Sequence, residues 1–322
     1  MYDIITIGAA TKDVFLESGS FKFIKSPEFA GGTGECLSFG SKNEVRNIFF
    51  STGGGATNAA VTFSRLGLSV AALTRVGRDS FGDDIIAALK NDNVSVKLIQ
   101  RDPALKTAYS TLLMQGPGER TVLVYRGSSA KINARELRQV RTKWIYVTSL
   151  GGQIDLLRKI WSWARKNKVK IAWNPGGEEL KSGLEKLLPF IKQCEVFNVN
   201  REEAARVTGC GWRDRECLFA NLCGKATYVL ITDGERGAYC CGAGERFFAS
   251  SLGTKPKNTT GAGDAFGSAF VAGLILRNSV DFALRLAILN ADSVIRQMGA
   301  KTGILKKLPS KAVLSKIEIK KL

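Results

Sequence analysis

A glycine-rich turn followed by an aspartate, late in the chain, has the residue types that phosphoryl transfer to a hydroxyl requires. Gly261, Ala262 and Gly263 precede Asp264, and the apolar run that follows predicts a buried helix beginning at this turn. The first N–H groups of a helix lack intrahelical partners, and glycine lets an anion approach them without meeting a Cβ. We therefore predict an anion hole at this turn, with Asp264 as the base that accepts the alcohol proton. The structural alternative is that Asp264 only caps the helix.

Polar residues nearer the N-terminus have the chemistry to bind the hydroxyl groups of an acceptor. Asp13 follows a predicted strand at residues 2–8, at the edge where a parallel sheet binds its ligands. Gly53 and Gly54 precede a predicted helix whose first turn carries Asn58, an amide that both donates to and accepts from hydroxyl groups. A loop aspartate and an ordinary strand-to-helix turn are the structural alternatives.

Arg126 is the best sequence clue to the acceptor. It follows a predicted hairpin, with strands at 109–114 and 121–125 joined by a turn at 115–120, which would direct Arg126 toward the acceptor. A guanidinium group binds carboxylate or phosphate better than neutral hydroxyl groups. The hypothesis is an acidic or phosphorylated sugar, and a surface arginine is the alternative.

Two stretches resemble the signatures of one known family. Residues 258–271 resemble the C-terminal signature of the ribokinase-like (PfkB-type) family of sugar and nucleoside kinases, and residues 53–67 resemble its N-terminal signature. The resemblance implies an ATP-dependent kinase that uses Mg²⁺, with the amides of Gly261, Ala262 and Gly263 as anion hole and Asp264 as catalytic base. Substrate contacts are implied for Asp13, Gly53, Gly54, Asn58, Arg126 and Asp264.

The same resemblance implies a nucleotide and metal site. The residues implied to bind ATP are Asn200, Thr232, Gly234, Gly237, Gly261, Gly263 and Asn290. Asn200 and Glu203 match a family motif that acts on magnesium and phosphate through water, although Asn and Glu at this spacing also form an ordinary capping box. Asn258 stands where the family commonly has the aspartate that helps to hold a monovalent cation, so potassium dependence stays open.

The elements that must position these residues alternate along the chain. From residue 70 onward, strand-like and helical stretches follow one another, which predicts an α/β fold with a mostly parallel sheet and helices on both faces. The predicted strands are 70–76, 144–148, 169–173, 194–199 and 227–232; the predicted helices are 81–91, 154–167, 178–190, 201–208 and 280–298. The resemblance implies a ribokinase-like three-layer sandwich, as a single domain over residues 1–322. It also implies a small β lid inserted at about 14–52 and 97–126, and a possible homodimer through that lid.

Composition excludes several classes of function. The chain of 322 residues has no histidine, which excludes Ser-His-Asp and Cys-His catalysis and any histidine-ligated metal site. The net charge is +18, yet the basic residues are dispersed and no recognition motif accompanies them, so we expect no nucleic-acid partner. An acidic substrate such as ATP or a sugar phosphate would also suit this charge.

The location of the protein is predicted from its N-terminus, its apolar runs and its cysteines. No run approaches the 18 apolar residues of a membrane span, and the N-terminus is typical of a first strand rather than a signal peptide. We therefore expect a cytoplasmic protein without membrane contact. Seven scattered cysteines without a C-x-x-C pair predict reduced, mostly buried thiols, with no bond between the neighbours Cys240 and Cys241.

Three functions remain on this scaffold. The first is an ATP-dependent kinase acting on a hydroxyl of a small sugar or sugar-like substrate. The second is a nucleoside (adenosine-type) kinase, and the third is a catalytically degenerate sugar- or nucleotide-binding protein. An NAD-dependent oxidoreductase is disfavoured because its glycine fingerprint should follow an apolar strand, whereas the turn here follows the polar residues 254–258.

Overall fold

The computed structural model describes residues 1–29, 32–114 and 120–322. The strands are β1 (Tyr2–Ile7), β2 (Thr11–Glu17), β3 (Lys22–Lys25), β4 (Thr33–Cys36), β5 (Asn47–Gly53), β6 (Val70–Leu73), β7 (Arg75–Gly77), β8 (Gln100–Asp102), β9 (Ala108–Met114), β10 (Arg120–Tyr125), β11 (Thr142–Val147), β12 (Lys170–Trp173), β13 (Val196–Asn200), β14 (Tyr228–Thr232), β15 (Gly237–Gly242), β16 (Glu245–Ser250) and β17 (Ile319–Lys321). The α-helices are α1 (Gly55–Arg65), α2 (Ser80–Asn91), α3 (Ile154–Lys166), α4 (Gly177–Leu180), α5 (Gly183–Ile191), α6 (Arg201–Thr208), α7 (Arg215–Leu222), α8 (Ala262–Arg277), α9 (Val280–Ile295) and α10 (Lys311–Leu314).

The central sheet has nine strands in the order β17-β16-β15-β14-β13-β12-β11-β1-β6. The strands from β6 to β14 in this order are parallel to one another, and the three at the other edge are antiparallel. Because parallel strands need crossover helices, the sheet is wrapped on both faces. The predicted α/β class with a mostly parallel sheet is confirmed.

Side chains alternate between the two faces of the sheet, and each face has its own apolar core. In β1, Ile4 packs in the core that includes residues of α1, α2, α8 and α9, whereas Ile5 and Ile7 pack in the core that includes residues of α3, α5, α6 and α7. Three layers result, with both cores closed over the sheet.

A second sheet of four strands, in the order β10-β9-β2-β5, lies in the region predicted as the β lid, and we call it the lid. Strands β2 and β9 are parallel, and the other two pairings are antiparallel. Strands β3 and β4 form a separate hairpin. The predicted hairpin between β9 and β10 pairs in register, while its turn at 115–119 lies outside the described residues, as do residues 30–31.

Some predicted boundaries differ from the structure. The predicted helix at 178–190 is divided into α4 and α5, and Gly183, where α5 begins, takes a left-handed φ of 78°. The predicted strand at 70–76 is likewise two strands, and β7 pairs with β8 instead of joining the central sheet. Helix α9 ends at Ile295, before the predicted 298.

The prediction of free thiols throughout is wrong for four cysteines. Cys210 is bonded to Cys217, and Cys223 is bonded to Cys241, whereas Cys36, Cys194 and Cys240 are free. Helix α7 brings Cys217 next to Cys210, and Cys223, directly after the helix, lies beside Cys241 in β15. These contacts depend on tertiary packing, which the spacing of cysteines in the sequence does not reveal.

No α-helix in the described part of the chain has both the length and the apolar character of a membrane span.

Candidate active site

The start of helix α8 organises the candidate site. Gly261, directly before the helix, has a left-handed φ of 82°, and a Cβ there would overlap Ala300. Glycine is therefore required by conformation and by space. The turn leaves Asp264 in the first turn of a 16-residue helix, at the positive end of its dipole.

Two amides at this turn are open to a ligand. The N–H of Ala262 donates to the Thr259 carbonyl at 3.3 Å, and the Ala265 N–H donates to the Gly261 carbonyl at 2.9 Å. The N–H groups of Gly263 and Asp264 lie between them, where an α-helix offers no internal acceptor. Gly263 is exposed, and a Cβ placed on it would meet no atom within 4 Å. Of the predicted donors Gly261, Ala262 and Gly263, the Gly263 N–H is open and the Ala262 N–H is engaged by Thr259, while the Asp264 N–H is a further donor that was not predicted.

Asp264 is bonded to Asn58, which is 206 residues away in sequence. The Asn58 side-chain amide donates to Asp264 Oδ2 at 2.9 Å. Burial raises the pKa of Asp264; the Asn58 hydrogen bond and Lys301 oppose this shift, and the charge of Asp13 adds to it. A carboxyl group with a raised pKa is a better proton acceptor while it remains ionised at neutral pH.

Asn58 also has an unused acceptor. The residue is buried, with 4% of its surface exposed, and its Oδ1 has no hydrogen-bond partner among the described residues. A buried polar atom without a partner costs free energy unless a ligand or water satisfies it. Oδ1 therefore suits an acceptor hydroxyl group held beside Asp264.

Asp13, Gly53 and Gly54 lie on the lid side of the same site. Thr11 Oγ1 donates to Asp13 Oδ1 at 2.8 Å, and burial raises the pKa of Asp13. A Cβ on Gly53 would overlap the Asp13 carboxylate, so glycine lets this carboxylate lie against the backbone. Gly54 has a φ of 94° directly before α1, which places Asn58 on the first turn.

Arg126 lies at the edge of the acceptor side. It lines a small cavity of about 50 Å³ together with Thr11, Ser129, Ser149 and Gly151. Its side chain is exposed, and its charge helps to lower the pKa of Glu178 after the larger effect of Lys181. The guanidinium group is thus directed toward the loop at 149–152.

A separate cavity of about 220 Å³ opens on the other side of the turn. Its walls include four predicted nucleotide contacts, together with Thr259; these contacts are Thr232, Gly234, Gly237 and Gly263. Much of the remaining wall is apolar and is formed by Leu252, Pro256, Phe266, Ile288, Ala291 and Ile295. A largely apolar cavity that is also bordered by Gly263 at the helix start suits a nucleotide with its phosphates at the turn.

The structure does not bring Asn290 to this cavity. Its side chain is fully buried, donating to the Ala265 carbonyl at 2.9 Å and accepting from the Leu305 N–H at 3.0 Å. Asn290 joins helices α8 and α9 to the segment after them, and its neighbour Ala291 lines the cavity instead.

Asn200 and Glu203 form a capping box at the start of α6. Asn200 Oδ1 accepts from the Glu203 N–H at 2.8 Å, and Glu203 Oε2 accepts from the Asn200 N–H at 2.9 Å. Burial raises the pKa of Glu203, and the charge of Asp264 adds to this shift. Carboxylate and amide oxygens are ligands that Mg²⁺ accepts directly or through water, so Glu203 and Asn200 are the residues here that could hold a hydrated cation. No cluster of three metal-ligating side chains occurs in the described part of the chain.

Two features at the site carry no motif in the sequence. Lys301 is buried, and its Nζ donates to the Thr52 carbonyl oxygen at 2.9 Å. Arg120, on lid strand β10, donates to the Thr259 hydroxyl beside the anion hole. An isolated lysine in the otherwise uncharged stretch 297–305 is the signal that sequence reasoning passed over.

Asn258 is buried beneath the turn. Its Oδ1 accepts from the Thr260 N–H at 2.8 Å, while its Nδ2 has no partner among the described residues. Asn258 therefore places a neutral amide beneath the turn, whereas an aspartate at this position would place a negative charge there.

A helix-start carboxylate beside open amides, at the border of a largely apolar cavity, is the arrangement expected of a phosphotransferase that acts on an alcohol group. The model of the pfkB carbohydrate kinase family matches residues 28–307. The chain therefore belongs to the pfkB family of carbohydrate kinases.

Individual relatives agree with this assignment. Ribokinase from Haemophilus influenzae is 25% identical over 272 residues, covering 80% of this chain and 86% of the relative. The solved structure of Arabidopsis thaliana ribokinase complexed with ribose and ATP matches with a TM-score of 0.78 at 19% identity, covering 98% of each chain. Adenosine kinase from Sinorhizobium meliloti matches with a TM-score of 0.77 at 20% identity, covering 95% of this chain and 97% of that one. The predicted ribokinase-like fold is confirmed, and solved structures of this fold include complexes with ATP and with ATP and Mg²⁺.

Proposed function

We propose that this protein transfers the γ-phosphoryl group of ATP to a hydroxyl group of a small sugar or sugar-like acceptor. The observation that carries the proposal is the 2.9 Å contact between Asp264 Oδ2 and Asn58 Nδ2, which joins the base to the acceptor side. The acceptor would bind among Asp13, Gly53, Gly54 and Asn58. ATP would lie in the 220 Å³ cavity with its phosphates at the start of α8.

In the proposed reaction, the acceptor oxygen attacks the γ-phosphorus while the bond to the β,γ-bridging oxygen breaks and ADP leaves. Asp264 takes the hydroxyl proton as the new O–P bond forms. The N–H groups of Gly263 and Asp264, with the helix dipole, stabilise negative charge on the migrating group. The lid excludes water, which limits transfer of the phosphoryl group to water.

Glu203 and Asn200 are the residues that would hold Mg²⁺, through water, beside the phosphates. The cation would supply neutralisation of the phosphate charge. Glu203 also caps α6, so its carboxylate is fixed in direction by the Asn200 N–H before any cation binds. Thr232, Gly234 and Gly237 would bind the ATP phosphates from the opposite wall.

Arg126 favours an acidic or phosphorylated sugar as acceptor. Arg126 lines the same small cavity as Thr11, whose hydroxyl donates to Asp13, so it borders the proposed hydroxyl-binding residues. A carboxylate or phosphate at the far end of the acceptor would pair with it.

The direct test is ADP release with a panel of pentoses, hexoses, acid sugars, sugar phosphates and nucleosides. Acceptor-dependent ADP release supports the proposal, and the preferred acceptor should carry a carboxylate or phosphate group. A protein that binds ATP and releases no ADP with any acceptor would instead be the catalytically degenerate form.

A nucleoside kinase is the second candidate, because the fold of the Sinorhizobium meliloti adenosine kinase covers almost the whole chain. The same panel separates the two functions. Preference for adenosine over every sugar would favour the nucleoside kinase and remove the assigned role of Arg126.

The lid offers a surface for a homodimer. Apolar side chains on its edge strands are exposed, among them Ile48, Phe50, Leu123 and Val124. Exposed apolar patches of this kind mark protein contacts. We expect the protein to elute as a dimer in size-exclusion chromatography, and to become monomeric when Leu123 and Val124 are replaced by serine.

A further inference from the structure

Lys301 is a buried lysine beside the reaction site that the proposed chemistry leaves unused. Only 7% of its surface is exposed. Its Nζ donates to the Thr52 carbonyl oxygen at 2.9 Å and to the Thr52 hydroxyl at 3.1 Å. Both acceptors are neutral, and a buried ammonium group is costly unless negative charge lies nearby.

Negative charge near Lys301 comes from the two acceptor-side carboxylates and from Asp92. Asp13 and Asp264 both favour the charged form of Lys301, and Lys301 in return lowers the pKa of each. Their own hydrogen-bond donors include Thr11 for Asp13 and Asn58 for Asp264, which are neutral. Lys301, held on Thr52 directly before Gly53, is therefore a buried cation whose charge acts on both carboxylates.

Other charged groups face Lys301 from neighbouring elements, and the favourable effect of Asp92 exceeds the opposing effect of Arg65. Asp92, after α2, also favours the ammonium form, whereas Arg65 on α1 opposes it. These two form their own ion pair, with Arg65 Nε at 2.7 Å from Asp92 Oδ1. Around Asp264 the additional charged group is Glu203, on α6.

The segment that carries Lys301 also connects the lid to the anion hole. Ala300 packs against Gly261, where any Cβ would overlap it. The Lys301 carbonyl accepts from Arg65 Nη1 at 2.9 Å, which fixes the segment to α1. Thr52, which Lys301 holds, is in lid strand β5, directly before Gly53.

We propose that Lys301 is a positioning residue whose ammonium group keeps Asp264 ionised as a proton acceptor and holds strand β5 over the acceptor. The assignment rests on the proposed function, since it gives Asp264 the role of base. Lys301 does not touch the reacting atoms; it acts through Asp264 and Thr52.

The first test measures the coupling without turnover. Protein labelled with ¹³C at the lysine side chains is titrated by NMR, and the Lys301 signal is assigned by its absence from Lys301→Met, or from Lys301→Arg if Met prevents folding. Burial lowers the pKa of Lys301 to about 8. In Asp264→Asn the midpoint should move to lower pH, and in the exposed control Asp155→Asn it should stay in place. An unchanged Lys301 midpoint in Asp264→Asn overturns the proposal.

The second test uses kinetics with the best acceptor. In Lys301→Met, kcat/KM should fall at least tenfold at pH 7, and its acidic limb should move to higher pH because Asp264 loses a favourable charge. The exposed control Lys306→Met should match the wild type. If Lys301→Met lowers the melting temperature and kcat but leaves the acidic limb of the kcat/KM profile at its wild-type pH, the role of Lys301 is purely structural and the proposal is overturned. If wild-type protein phosphorylates no acceptor, the proposed function fails, while the NMR coupling still decides the role of Lys301.

Discussion

Replacing Gly261 and Gly263 by alanine, one at a time, should change stability in opposite directions while lowering activity in both cases. Gly261 has a φ of 82°, and its Cβ would overlap Ala300. A left-handed conformation costs a residue with a Cβ about 1–2 kcal/mol, to which the overlap adds. At about 2–4 °C per kcal/mol for a large domain, Gly261→Ala should melt roughly 2–8 °C lower.

Gly263 is the matched control, because it lies inside α8 and has open space where its Cβ would go. Alanine in a helix is favoured over glycine by about 0.5–1 kcal/mol, so Gly263→Ala should melt slightly higher. Its methyl group would nevertheless stand in the phosphate path. Gly261→Ala displaces the open amides, and loss of such a donor costs about 10²–10³ in kcat.

Thermal melting and ADP release measured on the same preparations check both effects. The reasoning is refuted if Gly261→Ala keeps the wild-type melting temperature and kcat, or if Gly263→Ala is destabilised and fully active.

Further predictions concern charge at the site. Asp264→Asn should melt no lower than wild type at pH 7. Burial raises the pKa of Asp264, so the ionised carboxylate opposes folding at this pH. The gain in stability from Asn should vanish at a pH low enough to protonate Asp264. For the same reason, kcat/KM should decline as the pH falls, with an acidic limb above the usual aspartate range; a limb at or below the ordinary aspartate value would contradict the assignment. Arg126→Ala should raise the KM of a carboxylated or phosphorylated acceptor by about 10–100-fold, as expected for losing a charged hydrogen bond of about 1.5–3 kcal/mol, while the exposed control Arg138→Ala leaves it unchanged. Equal affinity in wild type and Arg126→Ala removes Arg126 from the acceptor site.

The parts of the site that could be predicted from the sequence are those formed by residues close together in the chain. The Gly-Ala-Gly turn, Asp264 and the apolar helix after it are contiguous, so turn chemistry and periodicity together indicate a helix start with a carboxylate. The same holds for Asn200 and Glu203, whose spacing correctly indicates a capped helix. Strand and helix alternation likewise gave the sheet, because parallel strands require crossovers.

Contacts between residues that are far apart in the chain are harder to predict from the sequence. No pattern reveals that Asn58 meets Asp264, or that Lys301 meets Thr52 across 249 residues. The disulfides Cys210–Cys217 and Cys223–Cys241 depend in the same way on the packing of α7.

For Asn290, the helical periodicity of the sequence is a better guide than the family resemblance, which predicted an ATP contact. It lies four residues from both Leu286 and Val294, which are fully buried on the core face of α9. A helical face shared with these residues indicates a satisfied core amide rather than a ligand contact. Ala291, one position further, reaches the cavity wall.

The measurement that tests the central claim most directly is the rate of phosphoryl transfer by Asp264→Asn with saturating ATP and the best acceptor. A general base contributes about 10²–10⁴ to the rate, so kcat should fall by that factor while the affinity for ATP stays near that of wild type. An Asp264→Asn protein that turns over at the wild-type rate would show that another group removes the proton, and the mechanism proposed for this site would be wrong.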